Sequence, residues 1–324
     1  MQVAVAAVTA AGRITRSVQA DLEQLRVVTK DDRSPVTLAD YAAQAVVAQH
    51  LASKLPDLRL VAEERADGLR APEAAPLVAE AVKRVRTEWP EATQDSLLDA
   101  IDLGTAEPSA EDGFWTLDPV DGTKGFLRGQ HYAISLARVE GTRPVLGVLA
   151  CPNLDPDPVH PLSESGRGIV LAAVRGEGVR WRPMSGDGPW AEIRRTAVTS
   201  DVVRTCESVE SGHSNHDAHA QILRQAGLTG EAVRLDSQAK YAVVARGQAD
   251  VYLRLPSRKD YVEKIWDHAA GACVAEESGA IVTDFLGRAL DFSQGRRLEA
   301  NRGVVVADAA PHARLIEAIR AFEP

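Results

Sequence analysis

Acidic side chains stand where predicted strands end or predicted helices begin in four parts of the chain. They are Asp40, Glu63, Glu64, Asp118, Asp121 and Asp267. Hard divalent cations take oxygen ligands, and Mg²⁺ in proteins commonly binds a few carboxylates together with water and a substrate phosphate. Two such ions about 4 Å apart polarise a phosphoryl group and stabilise a leaving oxygen. The pattern therefore indicates a metal site that acts on phosphate esters.

The hexapeptide DPVDGT, residues 118–123, carries the densest part of this pattern. Its proline favours an extended backbone, so that Asp118 and Asp121 can face one side of a turn together with the intervening carbonyl. The backbone amides of residues 122–124 can then receive a phosphate, especially if they begin a helix. We expect this segment to lie at the centre of the site.

Each acidic group also has a structural interpretation. Asp-Gly is among the commonest turn dipeptides, and Asp267 can serve as a helix N-cap. Asp40 can be the acid of a capping box that Thr37 opens, and the two glutamates can be solvated. The site interpretation is favoured because the acidic clusters lie at element ends rather than on exposed helix faces.

The elements that would position these residues alternate between helix and strand. Apolar residues at three- and four-residue steps from Val5 onward predict a long first helix, a second helix begins at Thr37, and residues 74–102 are predicted to be helical. Short apolar runs precede the acidic residues. The alternation predicts a layered α/β protein. A proline- and aspartate-rich stretch predicts a division into residues 1–155 and 156–324.

Composition limits the partners of the chain. Its 324 residues carry a net charge of −9, which disfavours binding to nucleic-acid polymers or membrane surfaces, so an anionic substrate would need local cations or metal. The three cysteines are far apart and form no CxxC pair, which predicts a reducing compartment. The sequence has no membrane-spanning apolar run and no basic region before its apolar N-terminus, so we expect a cytoplasmic protein without a signal peptide. No obligate protein partner is evident.

Seven segments together resemble the lithium-sensitive, Mg²⁺-dependent phosphatases of the inositol monophosphatase superfamily, and within it the 3′(2′),5′-bisphosphate nucleotidases. They are SPVTLADY (34–41), VAEE (61–64), WTLDPVDGTKGFLRGQHYAISLA (115–137), GVLACPN (147–153), VESGHSNHD (209–217), LDSQAKY (235–241) and DVYLRLPSRKDYVEKIWDHAAG (250–271). The continuation TKGFLRG is the nucleotidase form of the motif. The resemblance implies a sugar-phosphatase-type fold, a sandwich of alternating helix and sheet layers in which an α+β N-terminal half packs against a C-terminal α/β half. Two small departures, VAEE and HSNH, remove no functional group.

The resemblance also implies roles for individual residues. Glu63, Asp118 and the Val120 carbonyl would hold one Mg²⁺, while Asp118, Asp121 and Asp267 would hold a second. Asp40 and Thr123 would activate the attacking water, with Asp40 also near a third, weaker metal. The residues that would bind the substrate are Gly122, Thr123, His213, Ser237, Lys240 and Arg254. The N-terminal half would thus hold most metal ligands, and the C-terminal half Asp267 and the nucleotide-binding residues.

The segment HSNH allows a different interpretation, a zinc pair formed by His213 and His216. No third nitrogen or sulfur ligand lies nearby in the sequence, which disfavours zinc. A nucleotide contact from His213 and a structural role for His216 are the alternatives.

The implied reaction is hydrolysis of the 3′-phosphate of adenosine 3′,5′-bisphosphate to AMP and phosphate, by direct transfer to water. It would need two to three Mg²⁺ ions and be inhibited by Li⁺. The sulfated nucleotide 3′-phosphoadenosine 5′-phosphosulfate is the second candidate substrate and would place the protein in sulfur metabolism. An inositol (poly)phosphate phosphatase and a catalytically silent nucleotide sensor are the rival hypotheses.

Overall fold

Two β-sheets with helices on their faces make up the computed structural model, which describes residues 1–22, 34–158, 166–186, 188–209, 216–256 and 261–322. The helices are α1 Gln2–Ala20, α2 Ser34–Ala52, α3 Ala75–Val85, α4 Gln94–Asp102, α5 Thr123–Leu127, α6 His216–Gln225, α7 Ala239–Ala245, α8 Ala269–Glu277 and α9 Ala309–Phe322. The strands are β1 Leu60–Ala62, β2 Phe114–Asp121, β3 Ala133–Glu140, β4 Arg143–Cys151, β5 Ile169–Val174, β6 Gly178–Pro183, β7 Ala191–Glu192, β8 Thr205–Glu207, β9 Ala232–Arg234, β10 Val251–Arg254, β11 Ile281–Thr283 and β12 Val304–Ala307. In these residues no helix is both long and apolar enough to span a membrane.

The larger sheet has seven strands in the order β1-β2-β3-β4-β5-β6-β7. Only β1 and β2 pair in parallel, and the remaining neighbours are antiparallel. The smaller sheet has the order β11-β12-β10-β8-β9. Because β5, β6 and β7 join the larger sheet, that sheet crosses residue 155, and the division predicted there stays a prediction.

The sheets and helices stack in five layers. Helices α1 and α2 pack on one face of the larger sheet, and α7 and α8 lie between the two sheets. Helices α6 and α9 cover the outer face of the smaller sheet. The predicted sandwich of helix and sheet layers is confirmed.

The central layer leaves little room between its helix and the larger sheet. A Cβ added to Gly147 in β4 would lie 2.6 Å from the Ala270 carbonyl oxygen in α8. Real Cβ atoms are not found so close to a neighbour, so the strand and the helix backbone touch because this residue has no side chain. Helix α8, which begins two residues after Asp267, is thereby held against the sheet.

Two element boundaries differ from the sequence prediction. Helix α2 begins at Ser34 rather than after Thr37, because a proline at position 35 is tolerated in the first turn, where its missing N–H would have had no partner. Residues 74–102 form two helices instead of one. Thr93 caps the second helix in a capping box with Ser96, whose backbone N–H donates to the Thr93 Oγ1 at 3.2 Å.

Candidate active site

Asp118 and Asp121 lie at the end of β2, where the strand departs from regular pairing. Asp118 is opposite Ser135, and Asp121 is opposite Ala133, so three steps along β2 match two steps along β3. Residues three apart in a regular strand point to opposite faces of the sheet. The extra residue of this bulge reverses that rule and turns both carboxylates to one face.

Gly122 turns the chain from β2 into the short helix α5. Its φ of 93° lies in the left-handed region, and a Cβ there would be 2.8 Å from the Cβ of Ser237. Ser237 itself has a φ of 73°. The turn therefore needs glycine both for its positive φ and for the close approach of Ser237. It brings Thr123, the first residue of α5, against the segment that precedes α7.

The other acidic residues come from separate elements. Glu63 follows β1, in which Ala62 is opposite Leu117 of β2, so Glu63 continues beside Asp118. Asp267 lies just before α8, whose N-cap is His268, and therefore Asp267 is not itself the cap. Asp40 lies in α2, which packs against α5.

Burial and mutual repulsion raise the pKa values of this group. The pKa of Glu63 rises to about 7 through burial and the charges of Glu64 and Asp121, although Lys264 opposes the shift. The pKa of Asp267 rises to about 8 through burial and the charges of Asp121, Glu263 and Glu63, although Arg254 opposes that shift.

The pKa values of Asp40 and Asp118 rise well above the ordinary range, again through burial first and neighbouring carboxylates second. Carboxylates that hold one another protonated form a strong cation site, because a bound cation would replace their repulsion with attraction. The donor set, with the carbonyl of Val120 beside it, therefore fits Mg²⁺.

Four of the acidic residues, Glu63, Asp118, Asp121 and Asp267, line a cleft of about 380 Å³. Residues at the ends of β1 and β2 and the start of α5 meet residues from the segments around β8, β9, α7 and β10 there: Glu63, Asp118, Val120, Asp121, Gly122, Thr123, Lys124, Ser208, Asp236, Ser237, Lys240, Arg254, Tyr261 and Asp267. All the predicted metal ligands and all the described substrate residues thus lie together. Asp40 is buried and does not itself line the cleft.

Lys240 lies at the cleft wall although its side chain is almost entirely buried. Its Nζ donates to the Leu235 carbonyl and the Ser208 Oγ, both at 3.3 Å, and lies 5.4 Å from the centre of the Tyr252 ring. Burial and the charge of Arg254 lower its pKa, whereas Asp121 raises it. The ammonium is therefore held in a fixed position.

Arg254 lies between two carboxylates. Its Nε donates to Glu263 Oε1 at 2.9 Å, and one terminal nitrogen lies 3.9 Å from Asp267. His268 Nε2 lies 3.3 Å from the second oxygen of Glu263, and its Nδ1 contacts the Tyr241 hydroxyl at 2.7 Å.

Glu263, Asp267 and His268 also bring possible ligand atoms within 4.8 Å of one another. Both oxygens of Glu263 already face basic partners, however. Although burial opposes its ionisation, Arg254 and His268 lower the Glu263 pKa to about 2. Glu263 and His268 therefore belong to a network with Arg254 that supports the cleft, whereas Asp267 remains one of the carboxylates predicted to bind metal.

Neither histidine of HSNH has a described side chain: His213 lies outside the described residues, and for His216 only the backbone, which begins α6, is described. Their roles stay predictions. Trp266 is 5% exposed and belongs to the core around α7 and α8, and Lys264 and Arg296 lie 5.3 and 4.9 Å from its ring centre. It is therefore a packing residue beside the cleft.

Sequence reasoning missed several residues that hold the cleft together. Glu263 is the partner of Arg254, and Arg128 pairs across the cleft with Asp236. Gln238, between two residues that were singled out, donates its backbone N–H to Asp121 at 2.6 Å. The resemblance covered all four residues, but their partners are distant in sequence and no spacing rule connects them.

Comparison with known proteins agrees with this geometry. The model of the inositol monophosphatase family matches residues 1–323. A 3′(2′),5′-bisphosphate nucleotidase of Emericella nidulans is 42% identical over 90% of this chain and 90% of its own length. A protein of the same name in Schizosaccharomyces pombe is 39% identical over 99% and 94%.

Solved structures show the same fold. CysQ from Bacteroides thetaiotaomicron, a bacterial member of the inositol monophosphatase family, superposes with a TM-score of 0.63 at 20% identity, over 95% of this chain and 96% of that one. An inositol monophosphatase from Anabaena gives a TM-score of 0.63 at 19% identity, over 99% and 95%. The family model, the nucleotidase relatives and the fold coincide along nearly the whole chain, which therefore belongs to the inositol monophosphatase family.

Proposed function

We propose that this chain is a Mg²⁺-dependent phosphatase that hydrolyses the 3′-phosphate of adenosine 3′,5′-bisphosphate, giving AMP and phosphate. One observation carries the proposal: a single cleft joins clustered carboxylates to two fixed cations, Lys240 and Arg254. The carboxylates suit the reacting phosphate through metal, and the cations suit a second phosphate that does not react. The nucleotidase relatives support the nucleotide as substrate.

The metal ligands in this proposal are Glu63, Asp118, the Val120 carbonyl, Asp121 and Asp267. When bound, two to three Mg²⁺ ions would supply charge neutralisation of the phosphoryl group and a more acidic water. Burial and mutual repulsion raise the pKa values of Glu63 and Asp267, which supports the proposal that these side chains favour a bound cation over ionisation alone. Inhibition by Li⁺ is part of the proposal.

Asp40 and Thr123 orient the attacking water. A threonine hydroxyl alone is a poor base, but a carboxylate behind it can orient it and accept a proton. Asp40 is buried on α2, and Thr123 opens α5 at the cleft, so the carboxylate would act from behind the hydroxyl. The backbone amides of Gly122 and Thr123 would receive the reacting phosphate.

Lys240 and Arg254 bind the second phosphate, with Ser237 beside them and His213 contacting the nucleotide. Fixed cations lose little side-chain entropy on binding, so they add both affinity and orientation. The 5′-phosphosulfate of 3′-phosphoadenosine 5′-phosphosulfate presents an anion at the same position, which makes it the second proposed substrate. The substrate is thus a small molecule, and no protein partner enters the scheme.

The proposed location is the cytoplasm. All three cysteines are free and buried, as expected for a protein in a reducing compartment. Burial raises the pKa of each of their thiols to about 12, so they stay protonated.

A phosphate-release assay over a small panel tests the proposal. The panel contains adenosine 3′,5′-bisphosphate, adenosine 3′-monophosphate, inositol 1-phosphate and inositol 1,4-bisphosphate, each with Mg²⁺ or with excess chelator. We expect the highest kcat/KM for the adenosine bisphosphate and no release in chelator. Preference for an inositol bisphosphate would favour the inositol (poly)phosphate phosphatase, and nucleotide binding without release would favour a silent sensor.

A further inference from the structure

Gln238 is almost completely buried, at 1% exposure, between three parts of the cleft. Its backbone N–H donates to Asp121 Oδ2 at 2.6 Å, and its side-chain Nε2 donates to the Trp266 carbonyl at 2.8 Å. Its side-chain oxygen accepts the backbone N–H of Gly271 at 2.9 Å. One residue therefore contacts the end of β2, the residue before Asp267 and the first turn of α8.

These three bonds span the gap between two of the carboxylates. Asp121 belongs to the larger sheet, whereas Asp267 is held by the chain on either side of it, at Trp266 and at Gly271. The side-chain amide uses one donor and its acceptor on those two flanking groups.

We infer that Gln238 is a positioning residue that fixes Asp267 relative to Asp121. This inference rests on the proposed metal role of those two carboxylates, and it deepens that role without assigning Gln238 any contact with substrate. Residues that orient metal ligands from behind commonly change metal affinity about 10- to 100-fold when they are replaced. The neighbouring Ser237, in its left-handed conformation against Gly122, fixes the segment from the other side.

Gln238→Met is the direct test, because methionine keeps the length and volume but removes both side-chain hydrogen bonds. The backbone N–H to Asp121 remains. We expect Mg²⁺ binding, measured by titration calorimetry without substrate, to weaken about 10- to 100-fold. The Mg²⁺ concentration for half-maximal activity should rise by a similar factor, while KM at saturating Mg²⁺ changes little.

Thr283→Val is the matched control. Thr283 is buried in β11 of the smaller sheet, and its hydroxyl lies 2.8 Å from His312 Nε2. Neither residue lines the cleft. Its loss should lower the melting temperature without changing the Mg²⁺ dissociation constant. A fall in the fraction of folded protein changes the binding stoichiometry, whereas mispositioned ligands change the dissociation constant. Unchanged Mg²⁺ affinity in folded Gln238→Met protein would overturn the inference.

Gln238→Glu gives a second test in case the methionine variant does not fold. One carboxylate oxygen can still accept from Gly271, but the other faces the Trp266 carbonyl, and the two oxygens repel. We expect weaker Mg²⁺ binding in spite of the added negative charge, and equal or tighter binding would contradict the inference. If the wild-type protein binds Mg²⁺ but releases no phosphate from any substrate, the proposed function fails while this test still stands.

Discussion

Arg254→Ala separates recognition of the second phosphate from support of the cleft. A charge-assisted hydrogen bond to phosphate contributes about 1.5–3 kcal/mol, or about 10- to 150-fold. We expect kcat/KM for adenosine 3′,5′-bisphosphate to fall by that factor. Adenosine 3′-monophosphate lacks the 5′-phosphate, so its kcat/KM should change little.

The same substitution also leaves Glu263 without its closest partner. Burial opposes the charge of Glu263, yet Arg254 and His268 lower its pKa from 4.5 to about 2, and that difference corresponds to about 3 kcal/mol of stability. Because the folded pKa is the lower one, this stability is complete above about pH 4.5 and is lost as the pH falls towards 2. At pH 7, Arg254→Ala should therefore lose up to about 3 kcal/mol, with His268 retaining part of it.

The double variant Arg254→Ala/Glu263→Gln distinguishes the two effects. Removing the buried charge should restore part of the melting temperature, but the bisphosphate preference should stay lost. The assay is phosphate release at 25 °C from both substrates, with folding checked by circular dichroism. Any disturbance of Asp267, 3.9 Å away, affects both substrates alike and cancels in the ratio of their kcat/KM values. An equal loss on the two substrates would refute the assignment of Arg254 to the second phosphate.

Three further predictions concern the carboxylates and the metal. In chelator, the melting temperature should fall as the pH rises from about 5 to 8, because the pKa values of Glu63 and Asp267 are raised to about 7 and 8 and their ionisation destabilises the fold. Saturating Mg²⁺ should reduce this fall. A melting temperature that does not change with pH, measured by differential scanning fluorimetry in chelator, would contradict the prediction. Asp121→Asn should weaken Mg²⁺ affinity, and added Mg²⁺ should partly restore its activity. Thr123→Ala should keep the Mg²⁺ affinity of the wild type and lower kcat about 10²- to 10⁴-fold. Near-normal kcat in Thr123→Ala would exclude Thr123 from water activation. Li⁺ at tens of millimolar should inhibit uncompetitively with substrate in steady-state assays, since the family resemblance implies that it replaces Mg²⁺ after turnover, and indifference to Li⁺ would count against that replacement.

Much of the fold follows from local patterns in the sequence. The apolar spacing that predicts α1 is confirmed. This prediction depends only on neighbours in the chain, namely the periodicity of their side chains. The layered α/β class follows from the alternation of helices and strands.

The errors arose where local signals competed. Thr37 is a good N-cap by type, but the preceding serine and proline start α2 earlier. The prediction of one continuous helix over residues 74–102 did not take account of Pro90, which lies between α3 and α4. In both cases proline, which suits the first turn of a helix but not its interior, had the stronger effect.

The site was predictable as a set of residue types but not as an arrangement. The motif DPVDGT suggested that Asp118 and Asp121 face one side, yet the cause is a bulge against β3 that only strand pairing reveals. The roles of Glu263 and Gln238 depend on partners in other layers. A single sequence does not contain such distances, because they result from the packing of two sheets around α7 and α8.

The close contact between Gly147 and Ala270 limits the side chain that position 147 can carry. Helix α8 lies between the larger sheet, which carries Asp118 and Asp121, and the smaller sheet. Its thickness sets the distance between the two sheets on the side of Asp267. A methyl group at Gly147 would lie 2.6 Å from the Ala270 carbonyl oxygen, so the strand or α8 would have to shift, and a shift of α8 would carry Asp267 with it. The width of the cleft therefore depends on the close packing of this middle layer.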